Sequence, residues 1–210
     1  MKEFIKHSRL LVAGASGHGK VIMDVARVIG QYEEIAFVDD DEKLMNNKKV
    51  VGNISYTIQH KEEWDAIVAI GDADIRRSIQ IKYEEAGVNL VTLIHPAAYV
   101  AQDVEIGAGT VVMAGAVIQP GTYVGKGVIV NTAATIDHEC HISDFSHISV
   151  GANLAGNVSV GEGSWIGIGA KVIQGKKICG NVMIGAGAVV ITDINNEGTY
   201  VGIPAHMIKA

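Results

Sequence analysis

Aliphatic residues recur at every sixth position across the C-terminal half of the chain: Ile94, Val100, Ile106, Val112, Ile118, Val124, Val130, Ile136, Ile142, Ile148, Leu154, Val160, Ile166, Val172, Ile178, Ile184 and Val190. A helix repeats near 3.6 residues and an ordinary strand near 2, so neither produces this run. Four residues after each aliphatic stands a small or apolar residue in nearly every hexad (Thr110, Ala116, Thr122, Val128, Ala134, Cys140, Ser146, Ala152, Val158, Ser164, Ala170, Val182, Ala188), and Lys176 is the clear exception. A short fixed repeat rich in β-branched residues and glycine describes a parallel β-helix, in which each coil buries its inward column against the coils above and below it.

Ahead of the repeat the pattern changes. Residues 9–13 (RLLVA) are a short apolar run, followed by Gly14-Ala15-Ser16-Gly17-His18-Gly19 and by a segment with Val21, Val25, Val28 and Ile22, Ala26, Ile29 along one side. That order predicts strand, glycine-rich turn and helix. Such a turn gathers backbone N–H groups at a helix N-terminus and suits the phosphates of a nucleotide, the alternative being a tight turn with no ligand. Its glycine spacing is G-x-x-G-x-G, not the G-x-G-x-x-G of dinucleotide folds. Residues 35–38 form a second strand ending in Asp39-Asp40-Asp41, where carboxylates can accept hydrogen bonds from ribose hydroxyls or a base edge, or stand as solvated turn residues. The stretch 42–59 reads as less regular, with one short strand around 50–54. Residues 65–70 predict a buried strand ending at Gly71, and Asp72 an N-cap for a helix carrying Ile75, Ile79, Tyr83 and Ala86 on one face, closed by Gly87. A last strand is expected over 88–94, with His95-Pro96 turning the chain into the repeat. The expected organisation is a small α/β domain over 1–93, with a parallel sheet whose ligand edge collects the glycine-rich turn, Asp39, Asp40 and Gly71, and a repeat domain over 94–210.

Composition narrows the function. A formal charge of −6 over 210 residues leaves no basic footprint for nucleic acid or for an anionic membrane, and small-molecule chemistry is favoured. No apolar run reaches the roughly 20 residues that span a bilayer. The two cysteines, Cys140 and Cys179, stand at non-equivalent hexad positions, and no signal-peptide pattern opens the chain, so a reducing cytoplasm is the expected compartment. Cys140 occupies an inward slot and reads as core packing.

The repeat resembles the hexapeptide acyltransferases. That resemblance implies a left-handed β-helix of triangular section with three hexads per coil, so that residues eighteen apart stack about 4.8 Å apart in neighbouring coils. Polar departures then carry the information. The block NTAATIDHECHISDFSH packs His138, His141 and His147 with Asp137, Glu139 and Asp144 into a short span of a chain with eight histidines. His138 is off the inward column, Glu139 adjoins it, and Gly156 stacks on it in the next coil. A base beside a glycine N–H supplies a proton acceptor and an oxyanion donor, two parts of an acyl-transfer site. Ile168 and Ala186, also eighteen apart, form a second stacked pair. The alternative is that these outward histidines are merely solvated or bridge subunits.

Together the glycine-rich turn, Asp39-Asp40, Ala69-Ile70-Gly71, the His138-Glu139 block and the ending Val201-Gly202-Ile203-Pro204-Ala205 resemble the nucleotide-amino-sugar N-acetyltransferases of the bacillosamine pathway. They resemble nearly as much the sialic-acid O-acetyltransferases. The resemblance implies His138 as general base and Glu139 as the carboxylate raising its basicity. It implies acetyl-CoA contacts at His147, Gly156, Ile168 and, through backbone, Ala186, where relatives carry glycine. Nucleotide-sugar contacts fall on Ser16, Gly17, His18, Asp39, Asp40 and Gly71. It further implies a homotrimer with acetyl-CoA between adjacent prisms, transfer within a ternary complex, and a UDP-linked 4-amino sugar as acceptor. No metal is expected: His-x2-His-x5-His does not match the zinc set of the trimeric β-helix carbonic anhydrases. A non-catalytic nucleotide-sugar binding protein is the alternative of a different class.

Overall fold

The structure, a computed structural model, describes residues 6–45 and 49–209. The chain forms two compact units, Met1–His95 and Pro96–Ala210.

The first unit is an α/β fold. Strands β1 (Arg9–Ala13), β2 (Glu34–Val38), β3 (Val50–Gly52) and β4 (Asp65–Val68) make a parallel sheet in the order β3-β2-β1-β4. Helices α1 (Gly17–Ile29), α2 (Glu42–Met45), α3 (Ile54–Gln59) and α4 (Ala73–Glu85) fill the connections. Since β1 lies between β2 and β4, the strand order reverses beside β1, and loops leaving the carboxyl ends of these strands part there to leave a crevice. Leu11, Ala13, Val38, Ala66 and Val68 pack with Trp64, Ile79 and Tyr83 into one core.

Three expectations need correction. The stretch 42–59 holds two short helices, α2 and α3, besides a three-residue strand; the Asn53 side chain accepts from the Tyr56 N–H at 3.1 Å and starts α3. No continuous strand covers 88–94, only a bridge of Leu90 to Ala66 and the pair Leu93–Ile94. Helix faces are also rotated from the expected ones. Val21 and Val28 are exposed while Ile22, Met23, Val25 and Ala26 are buried; Ile75 is exposed, and α4 turns inward Arg76, Ile79, Gln80 and Tyr83. Asp72 caps α4 as expected, accepting from Asp74 and Ile75 N–H at 3.1 and 2.9 Å.

The second unit is the left-handed β-helix. Short strands, most of two residues, stack in parallel along three sheets, and partners in register through the coils are eighteen residues apart: Tyr123 with His141, Ile129 with His147, Thr135 with Asn153. The inward aliphatic column is buried at every hexad from Val112 to Val190, while Ile94, Val100 and Ile106 are only half-buried. Burial of each such side chain contributes about 1.5–3 kcal/mol. The second inward slot tolerates hydroxyls for a specific reason. Thr110, Ser146 and Ser164 donate to the carbonyls of Gly125, Gly161 and Cys179 at 2.8, 3.0 and 2.8 Å, so each buried hydroxyl is satisfied by a corner carbonyl. Cys140 does the same with Ala155 O at 3.3 Å, and burial raises its thiol pKa, in keeping with a structural residue.

Each corner contains one residue in the left-handed region, recurring every six from Gly109 to Gly187 with φ between 55° and 74°. Glycine takes this conformation without strain; another residue costs about 1–2 kcal/mol. Ala133, Glu139 and Phe145 occupy three consecutive corners in this way. At the far end the chain does not finish at 202–205: Gly198–Val201 continues the helix and His206–Lys209 folds back antiparallel on it.

Candidate functional site

In the first unit the carboxyl ends of β1, β2 and β4 bring together the glycine-rich turn, Asp39 and the Ile70-Gly71 loop. The glycines divide by role. A Cβ on Gly14 would lie 2.7 Å from Ala69 O, and one on Gly19 would fall on Gly14 O, so both are demanded by close packing of turn, helix and sheet. A Cβ on Gly17 or Gly71 would meet nothing within 4 Å. At those two positions a side chain is absent where the protein itself has room for one, which leaves backbone open to a ligand. Ser16 is exposed and begins α1 without a side-chain cap, so its hydroxyl is uncommitted there.

Asp39 differs from a free ligand-binding carboxylate. Its Oδ2 accepts from the Ala15 N–H at 2.7 Å and its Oδ1 from the Asp41 N–H at 2.8 Å, tying the glycine-rich turn to the end of β2. Asp40 is exposed and accepts from the Ile54 N–H through Oδ1 at 2.9 Å, while no hydrogen bond among the described residues engages Oδ2. Sequence reading placed both acids at this edge; it had no means of assigning them the bracing of the turn and of α3.

His18 is half-buried, and its Nε2 is enclosed with no hydrogen-bond partner among the described residues. Burial, helped by the Arg76 charge, lowers its pKa to about 4, so the ring is neutral at pH 7. Arg76 went unnoticed in the sequence. It is buried, donates from Nη1 to the carbonyls of Ile70 and Gly71 at 2.8 Å each, and thereby holds the loop that presents Gly71. Burial lowers its own pKa to about 10, partly offset by Asp72. The legible signal was a helix face of Arg76, Ile79, Gln80 and Tyr83, in which polar residues recur at helical spacing with core residues.

In the β-helix, His138 and Glu139 occupy the corner between the strands Thr135–Ile136 and His141–Ile142. The imidazole folds along the prism axis onto the next coil. A Cβ on Gly156 would collide with its Nε2 and lie 3.0 Å from Cδ2, so glycine there is what gives the ring its seat. The Gly156 N–H has no acceptor among the described residues and is available to a ligand oxygen. Glu139 approaches the opposite ring nitrogen, Oε2 to Nδ1 at 3.4 Å, with both side chains half-exposed or more. Its left-handed backbone places it there: the Glu139 N–H is tied to Pro120 O at 3.0 Å. Asp137 secures the other side, accepting the His138 N–H on Oδ1 at 2.7 Å while its carbonyl accepts from the Thr122 hydroxyl at 3.0 Å.

His147 does not share this corner. It begins the strand stacked on Ile129–Val130, is buried to 7% exposure, and faces Trp165 with ring centroids 4.6 Å apart. Asn131 Nδ2 lies 3.0 Å from its Nε2. Ile168 and Ala186 are exposed and stacked, the Ile168 carbonyl accepting from the Gly187 N–H at 2.8 Å. His141 is exposed and stacks on Tyr123 at 4.8 Å. Among the described residues no three His, Cys, Asp or Glu side chains gather into a metal-holding group. Nor is any helix of those residues long and apolar enough to cross a membrane.

Comparison with known proteins adds a lineage to this geometry. Residues 9–83 match the model of the PglD N-terminal domain. Over 112 residues the chain is 35% identical to the UDP-N-acetylbacillosamine N-acetyltransferase of Bacillus subtilis (strain 168), covering 49% of this chain and 50% of that protein. The chain thus spans about half the length of the curated relative it matches. The acetyltransferase domain of PglB from Neisseria gonorrhoeae FA1090, solved with acetyl coenzyme A, is similar with a TM-score of 0.92 and 43% identity, over 96% of this chain and 100% of that one. PerB from Caulobacter crescentus, solved with CoA and GDP-perosamine, is similar with a TM-score of 0.88 and 34% identity, over 98% and 99% of the two chains. The chain belongs to the left-handed β-helix, hexapeptide-repeat acetyltransferases that carry a PglD N-terminal domain.

Proposed function

We propose that this protein transfers acetyl from acetyl-CoA to the amino group of a UDP-linked 4-amino sugar, with His138 as general base. The observation that carries the proposal is the His138 imidazole seated over Gly156, whose N–H meets no acceptor among the described residues. Acetyl-CoA supplies an activated acyl group with a good thiolate leaving group. His138 takes the proton from the attacking amine, Glu139 fixes the ring tautomer through Nδ1, and the Gly156 N–H steadies negative charge developing on the acyl oxygen. His147, Ile168 and the Ala186 backbone hold the coenzyme. No acyl-enzyme is needed, since base and oxyanion donor suffice for direct transfer.

The first unit decides the acceptor. Open backbone at Gly17 and Gly71 beside a helix N-terminus favours a phosphorylated ligand. Ser16 and His18 adjoin it, and Asp40 offers one carboxylate oxygen to a ribose or base edge, with Asp39 bracing the turn. One relative is named for a UDP-linked sugar and another was solved with a GDP-linked one. A homotrimer in the cytoplasm, with acetyl-CoA between adjacent prisms, completes the proposal and rests on the family resemblance.

Calorimetry separates this acceptor from its runner-up, a sialic acid acetylated on oxygen. UDP is expected to bind and to compete with the sugar nucleotide. Absence of UDP binding together with acetylation of free sialic acid would overturn the reading.

A further inference from the structure

Asn131 follows the strand Ile129–Val130 directly below His147, and its amide is held at both ends. Its Oδ1 accepts the N–H of Thr132 at 2.8 Å. A backbone N–H can only donate, so the oxygen must face it, and the amide cannot be turned around. Nδ2 is thereby left facing His147 Nε2 at 3.0 Å. An amide nitrogen also only donates, so Nε2 must be the acceptor. A ring that accepts at Nε2 is neutral and carries its proton on Nδ1; an imidazolium would set two donors against each other at 3.0 Å. Trp165 and the 7% exposure of His147 keep the ring from turning away.

We infer that Asn131 is a positioning residue that holds His147 as the neutral Nδ1–H tautomer and so removes it as a competing base. His138 and His147 then divide their work. The Nε2 lone pair of His147 is occupied by Asn131, whereas His138 meets the Glu139 carboxylate at Nδ1 and keeps Nε2 over Gly156 for a proton. His147 then enters the coenzyme site with its ring orientation fixed and its Nδ1 enclosed. The kinetic part of the inference rests on the proposed acetyl-CoA site; the tautomer does not.

The test uses imidazole nitrogen–proton correlation spectra of the whole protein near neutral pH. His147 is expected to show a protonated Nδ1 and a bare Nε2. Asn131→Asp keeps the acceptor for Thr132 N–H but offers oxygen to Nε2, so the ring should become the Nε2–H tautomer or the imidazolium. The acetyl-CoA KM should rise about tenfold, as for one lost hydrogen bond, with kcat changing much less. Imidazolium or the Nε2–H tautomer in the wild-type protein overturns the inference, as does an unchanged His147 spectrum in Asn131→Asp. The wild-type spectrum suffices should the variant not fold. Absence of thiol release from acetyl-CoA in the wild type would instead defeat the proposed function and leave the tautomer result standing.

Discussion

Replacing Gly156 by alanine tests the seat of the base without touching the base. The added Cβ would collide with His138 Nε2 and lie 2.5 Å from Cε1, so the imidazole must leave its position. Its side chain is 50% exposed and can swing into solvent, which keeps the folding cost at the low end of the about 1–3 kcal/mol usual for overpacking. Catalysis has no such escape. A positioned base is worth about 10²–10⁴ in rate and a displacement of about 1 Å costs about 10². Gly156→Ala should therefore lower kcat by about 10²–10³ while moving the urea midpoint little. The assay is thiol release from acetyl-CoA beside an equilibrium denaturation curve. Since both changes act on one group, Gly156→Ala/His138→Ala should be no slower than His138→Ala alone. Wild-type kcat in Gly156→Ala, or multiplication of the two losses, would refute the reasoning.

His138→Ala should reduce turnover by about 10²–10⁴ and leave the fold intact, as circular dichroism and denaturation will show, because the ring is half outside. Glu139→Gly should be about 1 kcal/mol more stable than Glu139→Ala, since φ at 139 is 57°, yet both should lose the same activity; equal urea midpoints would remove the strain argument. Gly17→Val should raise the acceptor KM and spare both the acetyl-CoA KM and stability, because its side chain enters open space; a disturbed acetyl-CoA KM would mean the two ligands were assigned to the wrong units. His18 titrates at about 4 when folded and about 6.5 when unfolded, so the unfolded state binds the extra proton between these values. Stability from this group is complete above pH 6.5 and falls by about 2–3 kcal/mol as pH drops toward 4; urea midpoints of His18→Gln across that window should be flatter, and an equal slope would contradict the shift.

The repeat was legible because one physical demand recurs at every coil: an aliphatic residue, β-branched at all hexads but that of Leu154, that fits the inward column. From Val112 to Val190 that demand is met at each hexad, so the spacing located the coiled repeat, and the three hexads per coil implied by the family resemblance placed Gly156 on His138. Tertiary commitments were not legible. Asp39 reads as a ligand carboxylate or a solvated turn residue until the turn it braces is seen, and Asn131 carries no sequence reading of its own until its two ends are found bound. Helix faces were misjudged where polar side chains are inside, as with Arg76 and Gln80, and apolar ones outside, as with Ile75. Left-handed Ala133, Glu139 and Phe145 carry no local signature, being marked only by their place in a series of corners otherwise held by glycine or, at 157 and 181, asparagine.

The central claim is that His138 moves a proton for acetyl transfer to a sugar amine. The direct measurement is thiol release from acetyl-CoA with a panel of UDP- and GDP-linked 4-amino sugars and free sialic acid, followed by identification of the acylated atom. The expected result is an alkali-stable amide on the amine of a UDP-linked 4-amino sugar, formed by the wild type and lost in His138→Ala. No release with any sugar nucleotide, or an alkali-labile ester on free sialic acid, would contradict it.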